Sequence, residues 1–185
     1  KLGELCLAEN TLVVFTTDHG HFFGQHGLTA KGAFHYEDMI RIPFIARLPG
    51  LIPAARRSDS LISLVDLAPS FLACAGIPVP RTMSGINQMP VFSGSSKALR
   101  TGVIVENRHQ PHTLNLRTYV SQRYKITVYC GHEYGELFDL EEDPGEIRNL
   151  WNSPLHSELK TKMLLDALSA EMEKDPVPMP RIFGA

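Results

Sequence analysis

The sequence predicts an α/β fold: a mixed or parallel sheet with flanking helices, followed by a small antiparallel sheet packed with a C-terminal helix. Three observations predict it. Two short apolar runs, residues 11–16 and 43–48, lack clean alternation, as suits strands buried on both faces of a sheet. Residues 64–75 repeat apolar side chains at helical spacing. Four strand candidates then follow in close succession, 102–106, 118–122, 125–129 and 136–140, ahead of a last helical stretch at 155–172.

Taken in order, Leu2, Leu5 and Leu7 before Asn10 predict the end of a helix, because Asn tolerates the left-handed cap conformation. The strand at 11–16 then delivers Asp18 and His19 into a loop punctuated by Gly20, Gly24, Gly27 and Gly32, where the backbone can turn sharply and approach a ligand. A short helix at 36–40 leads to the strand at 43–48, which Pro49 and Gly50 stop. Residues 51–59, with Pro53, Arg56 and Arg57, read as an exposed loop into a strand-like Leu61-Ile62-Ser63. In the helix at about 65–75, Pro69 falls in the first turn, where a missing N–H is tolerated, and Gly76 and Pro78 supply the stop.

Residues 77–99 are rich in Pro, Gly and Ser and read as an irregular connection with one short turn. Along 155–172, Leu155, Leu159, Met163, Leu164, Leu168 and Met172 mark one apolar face, read as core packing. Three prolines at 176–185 predict an extended tail. The expected organisation is a catalytic α/β part at 1–98, an antiparallel-sheet subdomain with its helix at 99–175, and the tail.

Ligands of open α/β sheets sit beyond the carboxyl ends of the strands, so the loop after residue 16 is the candidate site. Asp18 offers a hard anionic oxygen and His19 a borderline nitrogen; together they either hold one ion or hydrogen-bond the turn. Lys31 is a point charge suited to an anion, or a solvated loop lysine. His21, His26 and His35 crowd the same loop, and an imidazole titrating near neutrality can protonate a leaving alkoxide. His109 and His112 read as an exposed polar loop or the wall of a pocket.

The runs TTDHG, GQHGL, AKG, EDMIRIPFIARLPG, LVDLAPSFLACAGI and GELFDLEEDPGEIRNL occur in that order between residues 10 and 150. Together they resemble the C-terminal portion of type I, formylglycine-dependent sulfatases of the alkaline phosphatase superfamily. The resemblance implies an alkaline-phosphatase-like sheet for the first part and hydrolysis of sulfate monoesters. It implies a divalent metal with Asp18 and His19 among its ligands, and substrate binding and catalysis by Lys31 and His26. Calcium is the ion implied; imidazole also suits manganese or zinc.

Such enzymes carry their nucleophile, a cysteine or serine converted to formylglycine within a Cys-x-Pro-x-Arg or similar motif, far upstream of the Asp-His-Gly run. Cys6 precedes Leu-Ala-Glu, Cys74 precedes Ala-Gly-Ile and Cys130 precedes Gly-His-Glu, so the formylglycine is expected on an N-terminal half outside these residues. The partners expected are a small sulfate-ester substrate and either that missing half or a second copy of the chain. A phosphoester or phosphonate monoester hydrolase of the same superfamily, or an inactive fragment, is the alternative reading. The acidic run Glu141, Glu142 and Asp143 matches a structural turn and is assigned no chemistry.

Composition narrows the partners further. With 185 residues, 43% hydrophobic and 21% charged, the chain is long enough to bury a core. A net charge of −2 with interspersed signs gives no basic face for nucleic acid. No apolar stretch approaches the ~18 residues of a membrane span. Three widely spaced cysteines form neither a disulfide framework nor a Cys-x-x-Cys clamp.

Overall fold

A computed structural model describes residues 1–109 and 114–174. The expected tail and His112 lie outside the described residues. The fold is mixed α/β, and contacts divide it into two compact units: Lys1–Asp18 with Ile42–Arg100, and His19–Arg41 with the chain from Thr101 onward.

In the first unit β1 (Val13–Thr16) pairs with β4 (Phe44–Arg47), Phe15 lying opposite Ile45 and Val14 opposite Ala46. The pairing is antiparallel, and among the described residues no two strands run parallel. A parallel neighbour would need a crossover that carries the chain back to the strand's starting end. Burial alternates along both strands, and Phe15 and Ile45 stay 62% and 63% exposed, so this ribbon keeps one open apolar face.

Helix α2 (Leu67–Cys74) follows a 3-10 turn at Leu64–Asp66. The strand-like Leu61-Ile62-Ser63 forms no strand; the Ser63 N–H instead donates to Asp66 Oδ2 at 2.9 Å, half of a reciprocal capping box. Buried Asp66 also accepts from the Ile86 N–H at 2.8 Å and Gln88 Nε2 at 3.1 Å, and pairs with Arg100. Those bonds organise the stretch expected to be irregular, where a short helix, α3 (Met89–Ser93), forms.

The second unit holds a small hairpin, β2 (Phe22–Phe23) with β3 (Thr29–Ala30), and a four-stranded antiparallel sheet. The sheet runs β5 (Gly102–His109), β6 (Leu114–Ser121), β7 (Tyr124–Tyr129), β8 (Gly135–Asp139), each strand beside its neighbour in sequence. Successive side chains point to opposite faces. One face is apolar: Tyr119, Ile126 and Leu137 meet Met163 of α4 (Ser157–Met172), flanked by Ile104, Leu159, Leu164, Ala167 and Ala170.

The helix therefore packs as expected but along a different line. Leu155, Leu168 and Met172 are exposed, and Ala167 and Ala170 take the sheet-facing positions instead. The sheet-facing line steps from Leu159 to Met163 to Ala167 by four residues, and Leu168 lies about 100° around the helix from Ala167.

The opposite face of the same sheet is equally buried and mixes polar groups, Thr118, Lys125, Thr127 and Glu136, with apolar Leu116, Val120 and Phe138. It is covered by the chain leading into α1 (Glu37–Ile40). His35 Nδ1 is hydrogen-bonded to the Thr118 hydroxyl at 2.8 Å, which is bonded to that of Thr127 at 2.8 Å. Lys125 Nζ donates to the His35 carbonyl at 2.8 Å and pairs with Glu37 at 3.3 Å and with Glu146. Glu146 Oε2 in turn accepts the Glu37 N–H at 2.6 Å.

Burial first, then the charges of Lys125 and Arg117, push the His35 imidazole down to about 4, so it is neutral in the native state near pH 7. In the unfolded chain it titrates near 6.5, so between 6.5 and 4 the unfolded state binds the extra proton and acid weakens the fold. The expected loss over that window is about 3 kcal/mol. Urea unfolding measured from pH 7 to pH 4 checks this: His35→Gln should flatten the slope, and an unchanged slope refutes it.

Candidate functional site

The candidate residues follow β1 along the chain. Thr17 Oγ1 donates to Asp18 Oδ1 at 3.1 Å, and Asp18 closes the first unit while His19 opens the second. His19 is half-buried, with Nδ1 2.7 Å from the Gly20 carbonyl. That bond puts a proton on Nδ1, the arrangement by which a backbone carbonyl orients an imidazole ring.

Gly20 is required by a close approach. Its N–H donates to the Met39 carbonyl at 2.7 Å and the His21 N–H to the Asp38 carbonyl at 3.2 Å. A Cβ at Gly20 would stand 1.8 Å from the Asp38 carbonyl oxygen. The third residue of the Asp-His-Gly run thus lets the loop lie directly against α1.

Beyond it, buried Phe22 pins the hairpin, and Gly24 turns it at φ 111°. His26 sits inside the turn at φ 53° and is half-buried, its ring stacked on that of Tyr36. Ala30, at φ 65°, then bends the chain out of β3 immediately before Lys31. Lys31 is exposed, and among the described residues no hydrogen bond or ion pair engages its ammonium.

The second unit therefore holds His19, His26 and Lys31, while Asp18 belongs to the first. Among the described residues no three His, Cys, Asp or Glu side chains gather as a metal centre. Asp18 carries an anionic oxygen and His19 an imidazole, donor types that suit a divalent ion. His21 is exposed, 4.7 Å from the Phe23 ring, and His35 is sealed under the sheet. Cys6 and Cys130 are exposed and Cys74 half-buried, all three as free thiols.

A cleft of about 450 Å³ elsewhere on the second unit is lined by Arg123, Asp139, Arg148 and His156 and includes none of the four candidates. Its Arg123 is already committed to both carboxylate oxygens of Asp139. Three supporting residues escape a reading of the loop alone: Lys125, Glu136 and Glu146. The only sequence signal for them is polar side chains in the strand and turn segments 124–129 and 135–146.

Residues 24–174 match the family described as N-sulphoglucosamine sulphohydrolase, C-terminal. The chain belongs to this sulfatase family. It is similar to a delta 4,5-hexuronate-2-O-sulfatase of Bacteroides thetaiotaomicron, with 32% identity over 85% of the chain and 34% of the relative. An N-acetylglucosamine-6-O-sulfatase of the same bacterium is 32% identical over 91% of the chain and 30% of its own length. A structure solved in complex with its substrate D-glucosamine-2-N,6-O-disulfate superimposes with a TM-score of 0.87 at 26% identity, over 95% of the chain and 37% of that protein.

The chain thus spans about a third of the length of the curated relatives it matches. In this sulfatase C-terminal region the matched residues include His26, Lys31 and the whole four-stranded sheet, and Asp18 and His19 lie just ahead of them. Membership implies a metal and a formylglycine in the parent enzyme. This sulfatase segment contributes the later-arriving loop and the sheet that seats it.

Proposed function

We propose that the chain is the C-terminal part of an enzyme that hydrolyses sulfate monoesters on a saccharide, with the nucleophile on a part of the polypeptide outside these residues. The observation that carries this reading is the Asp18–His19 pair followed by Lys31, in a chain of a sulfatase family whose relatives act on sulfated sugars. The organisation proposed for the parent assigns residues 1–98 to its catalytic α/β domain and 99–175 to a C-terminal subdomain. The mixed sheet of that domain would cover the open face of the β1–β4 ribbon.

In this reading Asp18 and His19 Nε2 contribute two ligands to a divalent ion, calcium by family and manganese or zinc by the histidine. When bound, that ion polarises the sulfuryl oxygens and neutralises their charge. Lys31 holds the non-bridging oxygens of the ester and stabilises the charge that builds as the S–O bond breaks. His26 delivers a proton to the departing alcohol oxygen.

The test uses the natural polypeptide that carries this chain. Incubated with glucosamine 6-O-sulfate, it is expected to release inorganic sulfate, to stop when treated with EDTA, and to recover when calcium is returned. Cleavage of a phenylphosphonate monoester with no sulfate released from any sulfated sugar would instead assign it to the phosphonate branch of the superfamily.

A further inference from the structure

We propose that Tyr36 and Glu136 are positioning residues that hold the His26 ring at its working angle; the proposal rests on the reading of His26 as the proton donor. The His26 and Tyr36 rings lie parallel, 7° apart with centroids 3.7 Å from one another. Among the described residues neither ring nitrogen of His26 makes a hydrogen bond, so the stack sets the plane of the ring. Both nitrogens stay available for a proton transfer, whereas a hydrogen-bonded tether would have occupied one of them.

The backbone alone would not keep His26 there. Its φ of 53° and ψ of 21° are left-handed, a conformation non-glycine residues hold only when their surroundings impose it. Gly24 and Gly27 on either side, at φ 111° and 70°, add no stiffness. The rigid partner is Tyr36, whose ring also meets Phe22 edge-on at 6.3 Å and Phe138 at 6.1 Å.

Tyr36 is fixed in turn by Glu136, on the mixed face of β8. Glu136 is 4% exposed and accepts three phenolic hydroxyls: Tyr36 at 3.0 Å, Tyr129 at 2.9 Å and Tyr134 at 3.2 Å. Burial and the neighbouring carboxylate hold the Tyr36 and Tyr129 hydroxyls above the ordinary phenol range, so both remain donors. The chain of contacts runs from the sheet to the loop, from residue 136 back to residue 26, entirely within the second unit.

The experiment is a double-mutant cycle in the natural polypeptide, scored as sulfate released from glucosamine 6-O-sulfate. Tyr36→Leu, which removes the stack, should lower kcat at least tenfold with KM within about twofold. Tyr36→Phe, which keeps the ring but loses the hydrogen bond to Glu136, should lower kcat by about threefold, between the parent and Tyr36→Leu. His26→Gln should fall to the level of Tyr36→Leu, and the double variant no further, because both remove one function. A parallel proton spectrum of 13C-histidine-labelled protein should show the His26 ring protons shielded, and the shielding lost in Tyr36→Leu.

Multiplying effects in the double variant, or Tyr36→Leu at unchanged kcat, would overturn the positioning role and leave the hydrolase reading intact. His26→Gln at unchanged kcat would overturn both the proton-donor assignment and this proposal. Absence of sulfate release by the unmodified polypeptide would remove the hydrolase reading beneath them.

Discussion

Lys125→Met is expected to cost about 3–5 kcal/mol of stability, the largest loss from a single side chain in the sheet unit. The ammonium is 1% exposed and lies between the carboxylates of Glu146 and Glu37, with the His35 carbonyl as its third partner. Without it, Glu146 is a buried carboxylate with the Glu37 N–H as its remaining donor. Burial already pushes the Glu146 carboxyl above its ordinary value, and Lys125 pulls it back. In the variant the upward push is opposed mainly by the Glu37 N–H, so the native state binds that proton at a pH where the unfolded chain has lost it. The penalty should therefore be smallest in acid and grow as pH rises through the Glu146 titration. Adding Glu146→Gln to Lys125→Met removes the stranded charge and should recover at least about 1 kcal/mol in urea unfolding. A single variant as stable as the parent, or a double variant that merely adds the two losses, would mean the ion cluster contributes nothing.

The largest effect on activity is expected at Lys31. In the natural polypeptide, Lys31→Ala should lower kcat for a sulfate ester by about 10²–10³, the usual consequence of deleting one preorganised group that meets developing negative charge. KM should change much less, because the ester's charge in the ground state is spread over several oxygens and Lys31 meets the charge that builds in the transition state. The local geometry favours a fixed role: the β2–β3 hairpin is clamped by Phe22, and the left-handed Ala30 turns the chain out of the strand at the residue before Lys31. Steady-state kinetics on glucosamine 6-O-sulfate check this, with Lys31→Arg expected to retain part of the rate. A kcat within threefold of the parent in Lys31→Ala would leave the ammonium as an ordinary surface charge.

Much of the second unit was legible in the sequence because its strands alternate. Each of the four expected strands exists, lengthened by a few residues where Leu114 and Arg108 continue the ladder. The β1–β4 pairing was not legible, since an apolar run of six residues says nothing of direction, and the pairing is fixed by a partner some thirty residues on. The helix stripe was half legible. Counting large apolar residues selected Leu168 and Met172, whereas close packing on the sheet uses Ala167 and Ala170, whose small side chains carry little hydrophobic signal. At the site the Asp-His-Gly and Lys31 positions stood out as motifs. What holds them did not: His35 meets Thr118 and Tyr36 meets Glu136, partners far away along the chain that no local pattern joins.

The two unlike faces of the four-stranded sheet have a consequence for folding fidelity. Sliding β7 by one residue against β8 would turn Lys125 into the layer now filled by Ile126 and Leu137, and would strand its ammonium in hydrocarbon. A misaligned strand would thus carry the desolvation cost of an ion, which ties the register of the sheet to the placement of one charge.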